Sequence, residues 1–298
     1  MEALRPLTLG KYRGQTETED VDEETHSGYS SLLGGIAWTV LSRADAAVYI
    51  QALQRRSHRP RIIDCRRMNL CLRYITRHKK GIMYEAVIGD VRLVGFTDSA
   101  FKALEDEGSG LALRGLAILL TSDVVEGKSV LEVGRTYNVN LLEWLVRKLR
   151  RVVRSTFAAE LNALIDSIET LVLLQLLLHQ IYCGTEESNE ELLVKLECGG
   201  LYPPIDLFVD AKSVSDAVAA PDTCTPQESS LKLHIKTIRD RLARGLLRSL
   251  SWCDTRDMLA DGLTKGGVDR SALTLAMSGK LKILHECVTM WRRQISQV

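Results

Sequence analysis

LVGFTDSAF, residues 93–101, is the stretch on which the reading of this chain turns. It runs apolar from Leu93 to Phe96 as a buried strand would, then places a carboxylate at Asp98, then resumes with Ala100 and Phe101. A carboxylate pressed against a low-dielectric wall is costly unless it is paired, hydrogen-bonded or bound to a cation. The stretch therefore predicts a core strand that delivers one acidic group to a place where other charges meet it.

Working outward, residues 90–149 keep a strand-like texture in VRLVGFTDSAF, LALRGLAILLTS and NVNLLEWLVRKL, separated by the turn-rich EDEGSG and DVVEGKS. Three consecutive strands with short connections predict an antiparallel meander. STFAAELNALIDSIETLVLLQLLLHQIY, residues 155–182, has the hydroxyl start and the Ala/Leu/Glu content of one long helix. PPIDLFVDA, residues 203–211, reads as a strand opening on prolines, and KSVSDAVAA as a short helix that Pro221 ends. A helix from about Ser230 to Arg244, the strand GLLRSLSWC and a last helix TRDMLADGLTKG complete the order. Residues 90–265 thus read βββ, α, β, α, α, β, α.

Three further carboxylates share the setting of Asp98. Glu160 lies one turn into the long helix among Ala158, Ala159 and Leu161; Asp210 ends IDLFVD; Asp261 sits in MLADGLT. Each alone has a local explanation: an Asx turn for Asp98, a first-turn dipole partner for Glu160, a helix cap for Asp210, a solvated face for Asp261. Together they fall on the first strand, the long helix, the next strand and the last helix. Four such groups brought together would repel and raise each other's pKa unless divalent metal balanced them. Oxygen-only ligands of this kind suit Mg²⁺ or Mn²⁺ better than zinc.

With these segments in place, the sequence resembles the ribonuclease H domain of copia-type retrotransposon polyproteins. FTDSAF resembles that family's first-strand aspartate motif, LLEWLVRKLRRVVRSTFAAELNAL its strand-and-helix stretch with the helix glutamate, IDLFVDAKSV its second aspartate strand, and SWCDTRDMLADGLTK its closing Ala-Asp and Leu-Thr-Lys block. YSSLLGGIAWTVLSRADAAVYIQAL and CRRMNLCLRYITRHKKGIMY resemble the helical segment linking reverse transcriptase to ribonuclease H. The resemblance implies an α/β, RNase H-like fold, a mixed five-stranded sheet flanked by helices and preceded by a small helical segment. It implies hydrolysis of the RNA strand of an RNA/DNA hybrid, with Asp98, Glu160, Asp210 and Asp261 as the catalytic tetrad holding two Mg²⁺ or Mn²⁺ ions. The basic run Arg147, Lys148, Arg150, Arg151 and Arg154, with His234, would contact nucleic acid, and a reverse transcriptase domain of a longer polyprotein is a further implied partner. The chain departs from the family pattern at Ser99, Ala100 and Phe101, where a second acidic residue and a tryptophan are usual, and at Ala211, where an asparagine is usual.

The bulk composition sets the remaining limits. With 298 residues, 45% hydrophobic, the chain is long enough for an ordinary core. A net charge of +1 supplies no global field, so any nucleic-acid binding must come from local patches. Seven scattered cysteines without a CxxC pair indicate neither a disulfide framework nor a zinc site and suit a reducing, cytoplasmic or nuclear compartment. No secretion signal or membrane span is expected, since Phe157 to Leu178 carries Glu160, Asp166 and Glu169. Residues 1–27 are polar and acidic and read as a disordered leader, 28–89 as the helical connection segment, 90–265 as the RNase H-like domain, and 266–298 as a helical tail. Two function classes stay open: a metal-dependent nuclease, and a degenerate remnant that keeps the fold and binds nucleic acid or a partner without turnover.

Overall fold

The computed structural model describes residues 4–101, 112–122, 131–184, 186–220 and 229–292. The turn-rich EDEGSG and DVVEGKS and the helix stop at Pro221 lie outside the described residues. The chain forms two compact units, 1–82 and 83–298.

The first unit is built on three helices, α1 (Glu23–Ala37), α2 (Ala47–Gln54) and α3 (Ile62–Arg77). Asp22 caps α1 by accepting a hydrogen bond from the Thr25 N–H. Tyr29, Leu32, Ile36, Ile50, Leu53, Met68 and Leu72 form its core. Arg43 meets Asp45 in a buried two-pronged ion pair, Nε–Oδ1 2.8 Å and Nη2–Oδ2 2.9 Å, and Tyr74 donates to the same carboxylate at 2.6 Å. The described part of the leader, residues 4–27, is built into this unit rather than loose. Tyr12 is buried, Leu7 exchanges two hydrogen bonds with Asn69, and Lys11 and Arg66 pair with Asp22 and Glu17. Glu17, Asp20, Asp22 and Glu24 find basic partners, and its few apolar side chains reach a core that composition alone does not reveal.

The second unit is α/β with a mixed sheet, the fold class implied above, but with six strands in place of five. Their order is Asn140–Lys148 (β4), Leu113–Thr121 (β2), Arg92–Ala100 (β1), Ile205–Val209 (β5), Ser249–Cys253 (β6) and Cys287–Arg292 (β8). Strands β1 (Arg92–Ala100), β2 (Leu113–Thr121) and β4 (Asn140–Lys148) form the antiparallel meander. Strands β5 (Ile205–Val209) and β6 (Ser249–Cys253) run parallel to β1, and β8 (Cys287–Arg292) pairs antiparallel with β6. A short β3 (Thr136–Asn138) pairs with β7 (Lys280–Lys282) beside the sheet. Among the described residues, the tail contributes one helix, α9 (Ser271–Met277), followed by two strands. Gly279, at φ +83°, takes the left-handed turn that stops the helical pattern, and the β-branched and aromatic CVTMWR then finds a sheet edge.

Helix α4 (Thr156–Cys183) starts at Ser155, whose hydroxyl accepts from the Ala158 N–H. It is long and apolar enough to cross a membrane by composition, yet Leu164, Ile168 and Leu171 lie in the core with Leu93, Leu116, Ile118 and Leu207 of the sheet. It can lie that close because Gly95 has no side chain: a Cβ there would meet Leu171 at 2.8 Å and Leu207 at 2.9 Å. Helices α6 (Lys212–Ala219) and α7 (Ser229–Arg244) add Val214, Val218, Ile235 and Ile238 to this core, while α5 (Asn189–Cys198), unforeseen in the sequence, has no buried residue. Thr97 faces α4 through a 2.8 Å hydrogen bond to Ser167. By strand alternation Asp98 and Phe96 face the other side, where Phe96 stacks on Phe208 with centroids 5.0 Å apart.

Candidate metal centre

The acidic groups gather where β1 and β5 end. Asp98 leaves the last turn of the β1 pleat, Asp210 follows β5 directly, and the closing segment TRDMLADGLTKG breaks up to bring in Asp261. That segment is not one helix. It makes a short 3-10 turn, Thr255–Asp257, then the four-residue helix α8 (Asp261–Thr264). The break places α8 flat against β2. Gly115, the register partner of Asp98, makes room for it, since a Cβ there would lie 2.7 Å from Thr264 Cγ2 and 3.0 Å from the Ala260 carbonyl.

Ligand oxygens of Asp98, Asp210 and Asp261 all lie within 4.8 Å of one another. Glu160 stands beside this set rather than in it: its Oε2 accepts a 3.1 Å hydrogen bond from the Ser99 N–H. The sheet places Glu160 on the α4 side of β1 and Asp98 on the other, so the glutamate reaches the cluster around the strand end. Its charge still acts on the others. Burial, then Asp98, then Asp210 push the Glu160 carboxyl up to about 9. Burial, followed by Asp98, raises Asp261 to about 7 and moves Asp210 upward as well.

Four neighbours that the sequence reading did not single out hold these aspartates. Thr264 donates its hydroxyl to Asp98 Oδ2, Thr255 donates to Asp210 Oδ2 at 3.0 Å, and Trp252 Nε1 donates to the Asp210 carbonyl at 2.8 Å. The most consequential is Lys265. Its ammonium lies 2.6 Å from Asp261 Oδ1 and 3.3 Å from Asp98 Oδ1. Its position in the Leu-Thr-Lys block, four residues after Asp261, is the signal that could have found it.

The donor set fits a hard divalent cation. It is oxygen-only, and one ammonium leaves the Glu160 and Asp261 carboxyls still raised, by burial first and by the neighbouring aspartates second. Arg147, Arg150, Arg151 and Arg154 are exposed and Lys148 is half-buried, along the end of β4 and the segment leading into α4. Arg151 Nη1 lies 3.4 Å from His234 Nε2 on α7, so the structure brings one residue of the basic run beside the histidine. Burial first, and Arg151 second, lower the His234 pKa, which favours the neutral ring.

No family model matches the chain, and no curated protein matches it. Among solved structures it is similar to LC11-RNase H1 in complex with an RNA/DNA hybrid, at 15% identity over 60% of this chain and 98% of that one, with a TM-score of 0.35. It is similar as well to the N-terminal RNase H domain of a Mycobacterium tuberculosis protein fused to maltose-binding protein, at 15% identity over 63% of this chain and 100% of that one, with a TM-score of 0.33. A second structure of LC11-RNase H1, isolated from compost by a metagenomic approach, aligns at 13% identity over 62% of this chain and 99% of that one, with a TM-score of 0.32. At such scores the likeness does not place individual residues, and the case for the site stands on this chain's own carboxylates.

Proposed function

We propose that this chain is a ribonuclease H-type endonuclease, derived from a copia-type retrotransposon polyprotein, that hydrolyses the RNA strand of RNA/DNA hybrids using two Mg²⁺ or Mn²⁺ ions. One observation carries the reading: aspartates from β1, the end of β5 and α8, far apart in sequence, converge with their oxygens within 4.8 Å. The retrotransposon part rests on the order of the four resembling segments, and the helical unit's resemblance to a connection segment makes a reverse transcriptase domain the proposed partner.

Asp98, Asp210, Asp261 and Glu160 would hold the ions. When bound, such cations supply the positive charge that activates water and stabilises the departing oxygen in phosphodiester hydrolysis. The chain's own groups do the positioning. Thr264 and Thr255 fix the carboxylates of Asp98 and Asp210, and the Ser99 N–H orients Glu160. The exposed arginines at 147, 150, 151 and 154 would bind backbone phosphates in a sequence-tolerant, salt-dependent way. Selection of the hybrid would come from groove shape and ribose 2′-hydroxyls.

A second reading, hybrid binding without turnover, is favoured by Ser99-Ala100-Phe101 after Asp98, where the family pattern has another acid and a tryptophan. Labelled RNA/DNA hybrid, double-stranded RNA and double-stranded DNA, each incubated with the protein in Mg²⁺ and in Mn²⁺, separate the two. Cleavage confined to the RNA of the hybrid is the expected result. Hybrid binding without cleavage supports the second reading, and neither binding nor cleavage contradicts both.

A further inference from the structure

We propose that Lys265 is an internal competitor for the cation position shared by Asp98 and Asp261, and so sets the divalent-ion concentration at which the site loads. The inference rests on the reading of this cluster as a divalent-metal site and adds a residue to it.

Both oxygens of Asp98 are already engaged, Oδ2 by the Thr264 hydroxyl and Oδ1 by the Lys265 ammonium. The same ammonium holds Asp261 Oδ1 at 2.6 Å. It therefore stands where a cation bridging these two aspartates would stand. A hydroxyl carries no net charge and can rotate away, whereas the ammonium is a full positive charge. In the partly desolvated cluster it repels an incoming divalent ion and must leave the carboxylates for that ion to bind them.

The position of the lysine is built rather than incidental. The Lys265 N–H donates to the Asp261 carbonyl at 2.9 Å, continuing α8 by one residue. Arg270 then clamps the end of that helix, donating from Nη2 to the Lys265 carbonyl at 2.6 Å and from Nε to the Gly262 carbonyl at 3.1 Å. The backbone of Lys265 is thus fixed, but its side chain is 34% exposed, which leaves the ammonium a route out toward water. Asp210 is held by the hydroxyl of Thr255 and feels the Lys265 charge only at longer range, so the ammonium's direct contacts lie on the Asp98–Asp261 side of the cluster.

Mn²⁺ titration calorimetry on the full chain, without nucleic acid, tests this in the wild type and in Lys265→Met, Lys265→Gln and Lys265→Arg. The Met and Gln variants are expected to bind Mn²⁺ about tenfold more tightly or better, because a competing charge is gone. The Arg variant is expected to stay within about threefold of wild type, because it keeps the charge. Damage to the fold would weaken binding, so a gain of affinity cannot be a structural side effect. Equal affinities in wild type and both neutral variants would overturn the role of Lys265 and leave the metal site standing. Absence of Mn²⁺ binding in every variant would overturn the metal site itself, and this inference with it.

Discussion

Asp98 and Gly115 face each other across the β1–β2 ladder, and the missing side chain of Gly115 is what lets α8 bring Asp261 down beside Asp98. The acidic cluster therefore depends on a residue that carries no functional group. Gly115→Ala would put a Cβ 2.7 Å from Thr264 Cγ2 and 3.0 Å from the Ala260 carbonyl, and the second contact is backbone, which cannot rotate away. We expect a loss of about 1–3 kcal/mol in urea unfolding and weaker Mn²⁺ binding in titration. Unchanged binding would show that the close approach of α8 does not shape the site.

The raised carboxyls make stability depend on pH in a defined direction. Burial, then Asp98 and Asp210, push the folded Glu160 carboxyl from its ordinary 4.5 up to about 9, so between those values the folded state holds the extra proton. Metal-free protein should therefore lose stability as pH rises from about 5 toward 9, with Asp261 adding to the loss up to about 7. Thermal melts in EDTA across this range check the slope. Glu160→Gln should flatten it, and saturating Mg²⁺ should do the same by neutralising the cluster. A melting temperature that climbs with pH over this window in EDTA would contradict the charge picture.

The basic surface should act through phosphates. Each phosphate contact contributes about 0.9 to the slope of log affinity against log salt. Arg147→Ala with Arg150→Ala should lower that slope for an RNA/DNA hybrid by about 2, read by fluorescence anisotropy from 50 to 300 mM salt, roughly the range in which such contacts are lost. A slope that does not change would remove these arginines from the interface.

In the helical unit, Asp45 is fully buried and accepts from both Arg43 and Tyr74. Asp45→Ala leaves the guanidinium, only 4% exposed, without its counter-charge. The expected cost is about 3–5 kcal/mol, measured by urea unfolding, and a cost below about 1 kcal/mol, the range of exposed pairs, would mean that Arg43 finds another partner.

Much of this arrangement is legible in the residues because it is local. The meander follows from apolar runs of strand length, α4 from a long Ala/Leu/Glu stretch with a serine cap, and Asp98 from a carboxylate in a run that otherwise asks to be buried. What escapes the sequence is decided across long separations. Lys265 meets Asp98 from 167 positions away; the Leu-Thr-Lys block and its spacing from Asp261 point to the lysine, but not to this second carboxylate. The six residues of β8 earn strand geometry only from the open edge of β6, since their own pattern fits a helix nearly as well. The acidic leader looks unable to fold until Asn69, Arg66 and Lys11 are seen to satisfy it. Glu160 shows the limit most clearly: its place in the helix was readable, but not that the Ser99 N–H would hold it beside the three aspartates rather than among them.

The most direct test of the central claim is cleavage of a labelled RNA/DNA hybrid by the wild type and by Asp210→Asn, side by side in Mg²⁺ and Mn²⁺. Asparagine keeps the size of Asp210 and can still meet the Thr255 hydroxyl, but it removes one of the three charges that converge. The wild type should cut the RNA strand, and the variant should lose cleavage by about 10²-fold or more, of the order seen when a stabilising transition-state group is removed, while binding hybrid as before. Cleavage that persists in Asp210→Asn, or a wild type no faster than the variant in either metal, would contradict it.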